Sequence, residues 1–140
     1  MISASAGAVW PLITDVPRMG EWSPECVGAE WLDGATAPAL GVRFVGLNRL
    51  GPVRWRTTCT IDAFEPLRVF GFVAVFRPLR AATRWRFVLD ERFGRTEVTQ
   101  TFESAGTPGW IVAVERRIAR DSALCRGMQV TLERLAAVVA

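Results

Sequence analysis

The sequence lacks histidine and tyrosine, and all of its basic residues are arginine because lysine is missing as well. Without histidine there is no Ser-His-Asp or Cys-His pair to activate a nucleophile, and no imidazole to hold a metal ion. Without lysine there is no Schiff-base chemistry and no phosphate-binding loop of the usual type. General acid–base chemistry therefore depends on Asp and Glu, or less readily on Cys.

Long apolar runs and paired cysteines are missing too. No stretch approaches ~18 uninterrupted apolar residues, and the N-terminus has no basic segment followed by an apolar one. Cys26, Cys59 and Cys125 are odd in number and have no metal-ligand spacing. We therefore expect a cytoplasmic protein with reduced cysteines, without a membrane span, a metal ion or a cofactor.

The longest regular pattern in the chain is helical and lies at its C-terminal end. Half of the 140 residues are apolar, which suffices for a single domain over residues 1–140 with one core. Within Thr107–Ala140, apolar residues recur at three- and four-residue steps and arginines fall on the opposite face. Thr107 can cap this helix, and Pro108 suits its first position. The pattern predicts one long amphipathic helix that lies against an apolar sheet.

The preceding chain predicts two short helical segments and then a series of strands. Ser5 is a candidate cap for a helix at Ala6–Thr14, and a second helical turn follows at Val16–Trp22. Met1–Ala4 has the pattern of the end of a first strand. Turn residues between alternating segments favour a strongly curved antiparallel meander. Its predicted strands are Cys26–Leu32, Val42–Leu47, Val53–Phe64, Val69–Phe76, Ala82–Asp90 and Thr96–Glu103.

The first residues also carry a family resemblance. Ile2-Ser-Ala leads into a helix containing Val9-Trp10, followed by Asp15 and then by Trp22-Ser23-Pro24. This order resembles the START-like, Bet v 1-like (SRPBCC) superfamily and its polyketide cyclase/dehydrase-like branch, and the later elements agree over essentially the whole chain. The resemblance implies an α+β helix-grip fold: a curved antiparallel β-sheet wrapped around a long C-terminal α-helix, with two short helices after the first strand. The first strand departs from the family pattern, which has several more residues there.

The inward positions of the predicted strands are rich in aromatic residues. An ordinary aromatic core would explain them, but a helix laid on a concave sheet does not readily fill the groove along its whole length. The resemblance, moreover, is to a family that binds hydrophobic ligands. We therefore predict a cavity between the sheet and the C-terminal helix that binds a small hydrophobic or amphipathic molecule, such as a lipid, a polyketide or an isoprenoid. The predicted ligand-binding residues are Phe44, Asn48, Trp55, Thr57, Cys59, Phe70, Phe72, Phe76, Trp85, Phe87, Gln100 and Met128.

Catalysis is an alternative to binding. A carboxylate near Trp22, such as Asp15, Glu21 or Glu25, would serve as a general base if burial raised its pKa. The chain would then be a metal-free cyclase, dehydratase or aromatase acting on a polyketide-like substrate. The missing His and Tyr weigh against this function, so binding and transport are preferred.

A regulatory or interaction protein is a second alternative. The outward residues Arg54, Arg56, Arg84 and Arg86 would form a basic stripe if their strands were neighbours. A solvated sheet face is the more usual explanation of such arginines, and nucleic acid is therefore not the preferred partner. The sequence is compatible with a monomer and with a homodimer.

Overall fold

Six strands form an antiparallel sheet in the computed structural model, which describes residues 2–23, 26–79, 81–104 and 129–137. Their order in the sheet follows their order in the chain. A loop over residues 32–42 joins the first two strands, and short turns join the others. The predicted meander is confirmed, and the strand ends differ from prediction by a few residues at most. The strands are β1 (Cys26–Trp31), β2 (Arg43–Leu50), β3 (Val53–Glu65), β4 (Val69–Phe76), β5 (Ala81–Arg92) and β6 (Arg95–Ser104).

The turn between β2 and β3 is determined by two residues. Gly51 and Pro52 connect Leu50 to its cross-strand partner Val53. Gly51 has a φ of 59°, in the left-handed region that glycine enters without steric cost. Proline then supplies the fixed negative φ of the next position. This combination is typical of a type II′ turn, whose twist matches that of the flanking strands.

Two helices precede the sheet, as predicted. The first, α1, spans Ala6–Thr14 and is capped by the side chain of Ser5. The second spans Val16–Glu21 and is a 3₁₀ helix rather than an α-helix. The indole N–H of Trp22 donates to the backbone oxygen of Leu12 at 3.2 Å, which ties the end of the 3₁₀ helix to α1.

The N-terminal residues contribute a single bridge to the sheet. Ile2 and Thr96 on β6 exchange backbone hydrogen bonds of 2.7 and 2.9 Å. The hydroxyl of Thr96 donates to the backbone oxygen of Ala4 at 2.7 Å, so this fully buried polar side chain is satisfied. Glu91 on β5 accepts from the backbone amide of Ala6 at 2.7 Å. Side-chain hydrogen bonds from β5 and β6 thus hold the backbone of Ala4 and Ala6 against the sheet.

The C-terminal segment closes the core. Residues 129–137 are helical. Leu135 is fully buried, and Leu132 and Ala136 pack against the core, as their three- and four-residue spacing requires. The predicted beginning of this helix at Thr107, and its continuation to Met128, lie outside the described residues. A curved antiparallel sheet closed by a C-terminal helix is the α+β helix-grip fold.

Candidate functional site

The face of the sheet that meets the helices, which we call the inner face, divides into two groups of side chains. One group, the packed half, is fully buried or nearly so. The other, the accessible half, keeps part of its surface exposed, and most of its members lie towards the end of the sheet marked by the β2–β3 turn. The packed half consists of Phe44, Cys59, Ile61, Phe70, Phe72, Phe87, Leu89 and Val98. The accessible half consists of Asn48, Trp55, Thr57, Ala74, Phe76, Thr83, Trp85, Gln100 and Phe102.

Aromatic residues from the helical region close the packed half. The ring of Trp10 in α1 meets Phe70 edge-to-face at a centroid distance of 6.4 Å. Trp22 meets Phe87 in the same geometry at 5.8 Å. Edge-to-face contacts of this kind add to the free energy gained by burying the rings. This half of the inner face is therefore core.

The accessible half presents large apolar side chains that the described residues do not cover completely. Trp55, Phe76, Trp85 and Phe102 all retain exposed surface. The rings of Trp85 and Phe102 lie 5.5 Å apart on neighbouring strands. Partly exposed aromatic groups on a concave face are typical of ligand pockets.

A row of polar side chains, formed by Asn48, Thr57 and Cys59, crosses the inner face from β2 to β3. The side-chain amide of Asn48 donates to the Thr57 hydroxyl at 3.2 Å, and that hydroxyl lies 3.7 Å from the Cys59 sulfur. Gly46 makes room for this polar row, because a Cβ at that position would come within 3.0 Å of Thr57 Oγ1. Within the described residues, the Asn48 carboxamide oxygen accepts no hydrogen bond.

The buried cysteine of the polar row is not a nucleophile at neutral pH. Burial raises the pKa of the Cys59 thiol to about 12, although the hydrogen bond with Thr57 acts in the opposite direction. Burial also raises the pKa of Cys26, and both cysteines are free thiols. Only the thiolate is reactive. Cys59 therefore contributes packing and weak polarity.

Gln100 contributes a second polar position on β6. It lies opposite Phe87, and its Oε1 atom is buried without a hydrogen-bond partner among the described residues. Leaving a buried acceptor unsatisfied costs about 1–3 kcal/mol. A hydrogen-bond donor on a bound molecule would remove that cost.

The structure distributes the predicted ligand-binding residues over both halves. The packed half contains Phe44, Cys59, Phe70, Phe72 and Phe87. The accessible half contains Asn48, Trp55, Thr57, Phe76, Trp85 and Gln100. Met128 lies outside the described residues. Sequence reasoning missed Gly46 and Phe102. Two signals could have identified them. An isolated glycine in a strand indicates that a neighbouring side chain or backbone lies close to it, and Phe102 is on the same face of its strand as Gln100.

One of the predicted general bases near Trp22, Glu21, does not have the environment that this role requires. Glu21 is exposed, and Arg18 donates to its Oε1 at 3.0 Å. That hydrogen bond holds the pKa of Glu21 below its ordinary value, so the predicted increase is wrong for this residue. Glu25 lies outside the described residues. The adjoining cleft has a free volume of about 10 Å³, room for about one water molecule, and is lined by Leu12, Arg18, Glu21, Trp22 and Leu135.

The predicted arginine stripe is also corrected, because β4 separates β3 from β5. Arg84 donates to Asp62 at 3.1 Å and to Glu103 at 2.8 Å, and Arg86 lies 3.8 Å from Asp62. These two arginines are thus neutralised within the sheet. Arg54 and Arg56 lie nearer the β2–β3 turn and form a separate group.

The described residues contain neither a candidate membrane span nor a candidate metal site. None of the helices in that part of the chain is long and apolar enough to span a membrane. Among the same residues, no three His, Cys, Asp or Glu side chains come together as a metal site would require.

Comparison with known proteins gives one family match and many matches of fold. The model of the family described as polyketide cyclase/dehydrase and lipid transport matches residues 1–140. No curated protein matches the sequence.

Three solved structures illustrate the similarity of fold. A protein from Chromobacterium violaceum is 15% identical, with a TM-score of 0.74, over 99% of this chain and 92% of that one. A polyketide-cyclase-like protein from Corynebacterium glutamicum is 26% identical, with a TM-score of 0.52, over 98% and 77%. The di-domain aromatase/cyclase StfQ of the steffimycin pathway is 9% identical, with a TM-score of 0.75, over 99% of this chain and 47% of StfQ. The present chain thus spans about half of StfQ.

Proposed function

The chain belongs to the polyketide cyclase/dehydrase and lipid-transport family, and from that premise we propose that it binds a small hydrophobic or amphipathic molecule against the accessible half of its sheet. The binding would serve transport or sequestration of the molecule in the cytoplasm. The single observation that carries the proposal is the contrast in burial along one strand. On β4, Phe70 and Phe72 are buried, whereas Phe76 on the same face keeps exposed surface.

The polar groups of the accessible half suggest what the ligand carries. Asn48 Oδ1 and Gln100 Oε1 are both acceptors without a partner among the described residues. Hydroxyl or amide hydrogens on the ligand would satisfy them, while Phe76 and Trp85 contact its apolar part. β2 and β6 are four strand spacings apart, or ~19 Å along the sheet surface before curvature brings them closer. An elongated, mainly apolar molecule with one or two hydroxyl groups fits this arrangement.

Fluorescence titration tests the proposal, because tryptophans lie in both halves of the protein. We would titrate a fatty acid, an isoprenoid alcohol and an aromatic polyketide into the wild type and into two matched variants. Trp85→Phe removes a ring from the accessible half, and Trp22→Phe removes one from the packed region. We expect a saturable change in the wild type that Trp22→Phe keeps and Trp85→Phe diminishes. No saturable change with any probe, or the reverse pattern in the variants, would overturn the proposal.

Polyketide cyclisation or dehydration is the second candidate, favoured by the family and by the fold shared with StfQ. Asn48 and Thr57 can orient a substrate, but neither an amide nor a hydroxyl is an effective general acid or base near pH 7. The same titration separates the two functions if the polyketide probe is recovered and its mass measured. Recovery of a cyclised or dehydrated product would replace the binding proposal with the catalytic one.

A further inference from the structure

Three exposed arginines surround the β2–β3 turn, and we call them the arginine tip: Arg49, Arg54 and Arg56. Arg49 and Arg54 are directly opposed across the two strands. Arg56 follows Arg54 at the next position on the same face, ~7 Å along the strand. The three side chains therefore form one compact group on the outer face of the sheet.

Within the described residues, no acidic side chain compensates the positive charge of the arginine tip. Residues 34–61 contain no Asp or Glu. Arg43 and Arg84 form ion pairs with acidic residues, but no arginine of the tip does so within the described residues. Like charges opposed across a strand pair destabilise it, so the Arg49 and Arg54 pairing does not serve the stability of the fold. An external anion would remove the repulsion.

An exposed apolar residue lies at the same turn. Val53 is 60% exposed, and the two turn residues, Gly51 and Pro52, carry no charge. At ~3.3 Å per residue, Arg54 and Arg56 lie roughly 3 and 10 Å behind Val53. The headgroup layer on each side of a bilayer is about 5–8 Å thick. Val53 can therefore reach the acyl boundary while the guanidinium groups remain at the level of the phosphates.

We propose that the arginine tip docks on the surface of a lipid bilayer that contains anionic headgroups. The combination of arginine and an apolar tip favours a bilayer over nucleic acid or an acidic protein, because neither of those supplies an apolar layer behind its anions. The turn lies at the end of the sheet towards which the accessible half extends. Docking would bring that half to a membrane from which an apolar ligand can be taken, and this last step rests on the proposed function.

Vesicle flotation measures the docking without any ligand. The full chain would be mixed with vesicles of phosphatidylcholine, and with vesicles of phosphatidylcholine and phosphatidylglycerol. We expect binding to the anionic vesicles only, weakening as salt is added. Each arginine near an anionic surface changes the partition coefficient about fivefold. The triple variant Arg49→Gln, Arg54→Gln, Arg56→Gln should therefore bind roughly a hundredfold more weakly.

A matched triple variant removes the same charge from the opposite end of the sheet: Arg68→Gln, Arg92→Gln, Arg95→Gln. It should float nearly as well as the wild type. Val53→Ser should weaken flotation several-fold, whereas Phe93→Ser, at the opposite turn, should not. Equal losses of flotation in the two triple variants would show that binding depends only on net charge and would overturn the proposal. A loss of flotation confined to Phe93→Ser would overturn it as well.

Two competitors test the other occupants of the arginine tip. Duplex DNA or polyglutamate that binds the wild type through these arginines, while anionic vesicles do not float with it, would overturn the bilayer proposal. Ligand titration of the arginine-tip variant in the absence of vesicles separates the two proposals. If the arginine-tip variant still binds ligand but no longer floats with vesicles, docking and ligand binding are independent properties. Ligand binding absent from the wild type itself would leave docking standing and remove the proposed function.

Discussion

Alanine at Phe70 and alanine at Phe76 should differ sharply in their effects on stability and on ligand binding. The two residues are identical in type and lie on the inner face of the same strand. Phe70 is fully buried, and its ring lies 6.4 Å from that of Trp10 and 5.9 Å from that of Phe72. Phe76 keeps exposed surface. The two variants therefore differ in burial while sharing residue type, strand and face.

The magnitudes follow from burial. Removing a phenylalanine from a closed core costs about 3–5 kcal/mol. In a chain of 140 residues, each kcal/mol shifts Tm by about 3–4 °C, so Phe70→Ala should lower Tm by about 10–20 °C. Burying a phenylalanine completely contributes about 1.5–3 kcal/mol, and Phe76 is only partly buried. Phe76→Ala should therefore cost about 1 kcal/mol and lower Tm by about 3–4 °C.

Thermal unfolding followed by circular dichroism, with and without the tightest of the three probes, measures both effects. A ligand at a hundred times its Kd stabilises the folded state by about 2.7 kcal/mol. Phe70→Ala should still show this ligand-induced increase in Tm, starting from its lower Tm. Phe76→Ala should lose most of the increase. Equal destabilisation by the two substitutions would refute the division of the inner face into a packed and an accessible half. A full ligand-induced increase in Phe76→Ala would refute the placement of the ligand.

Two further predictions concern the polar row. Because the chain has neither lysine nor tyrosine, cysteine is the side chain that titrates between pH 9 and 12. The pKa of Cys59 is raised to about 12 in the folded state, so the stability due to its neutral thiol is full below pH 9.0 and is lost as the pH rises towards 12. The loss is about 4 kcal/mol. Urea unfolding of Cys59→Ala should show a flatter dependence on pH in that window, and an unchanged slope would contradict the assignment. Gly46→Ala should cost about 1–3 kcal/mol, because its new Cβ meets Thr57 Oγ1 at 3.0 Å. Thr57→Ala removes the atom that the new Cβ meets. The double variant should therefore be destabilised by at least about 0.5 kcal/mol less than the sum of the two single variants. Strictly additive free energies of unfolding would show that Thr57 is not what opposes the new Cβ.

Much of the fold could be predicted because its signals are local. The alternation in Val69–Phe76 and the helix pattern in Ala6–Thr14 predicted elements with the bounds that the structure shows. Polar candidates such as Asn48 and Thr57 were predicted individually from their place on a strand face. Their mutual hydrogen bond required the register of β2 against β3, in which Gly46 is directly opposite Thr57. The predicted increase in the pKa of a carboxylate was wrong for Glu21, because Arg18 lies beside it and lowers its pKa. Only the folded structure shows this contact.

The amino-acid sequence was sufficient to predict the strands, the short helices, the class of fold and the face on which each residue lies, since periods of two and of three to four residues encode direction. The sequence did not show how deeply each side chain is buried. Phe70 and Phe76 have the same parity in the same strand, and they differ because the Trp10 ring of α1 lies against the former. The arginines differ in ion pairing because they have different neighbours in the folded sheet. Arg84 pairs with Asp62 and Glu103, whereas Arg54 is opposite Arg49. Burial and ion pairing depend on residues far apart in the chain, and only the packing of the helices and the register of the strands brings those residues together.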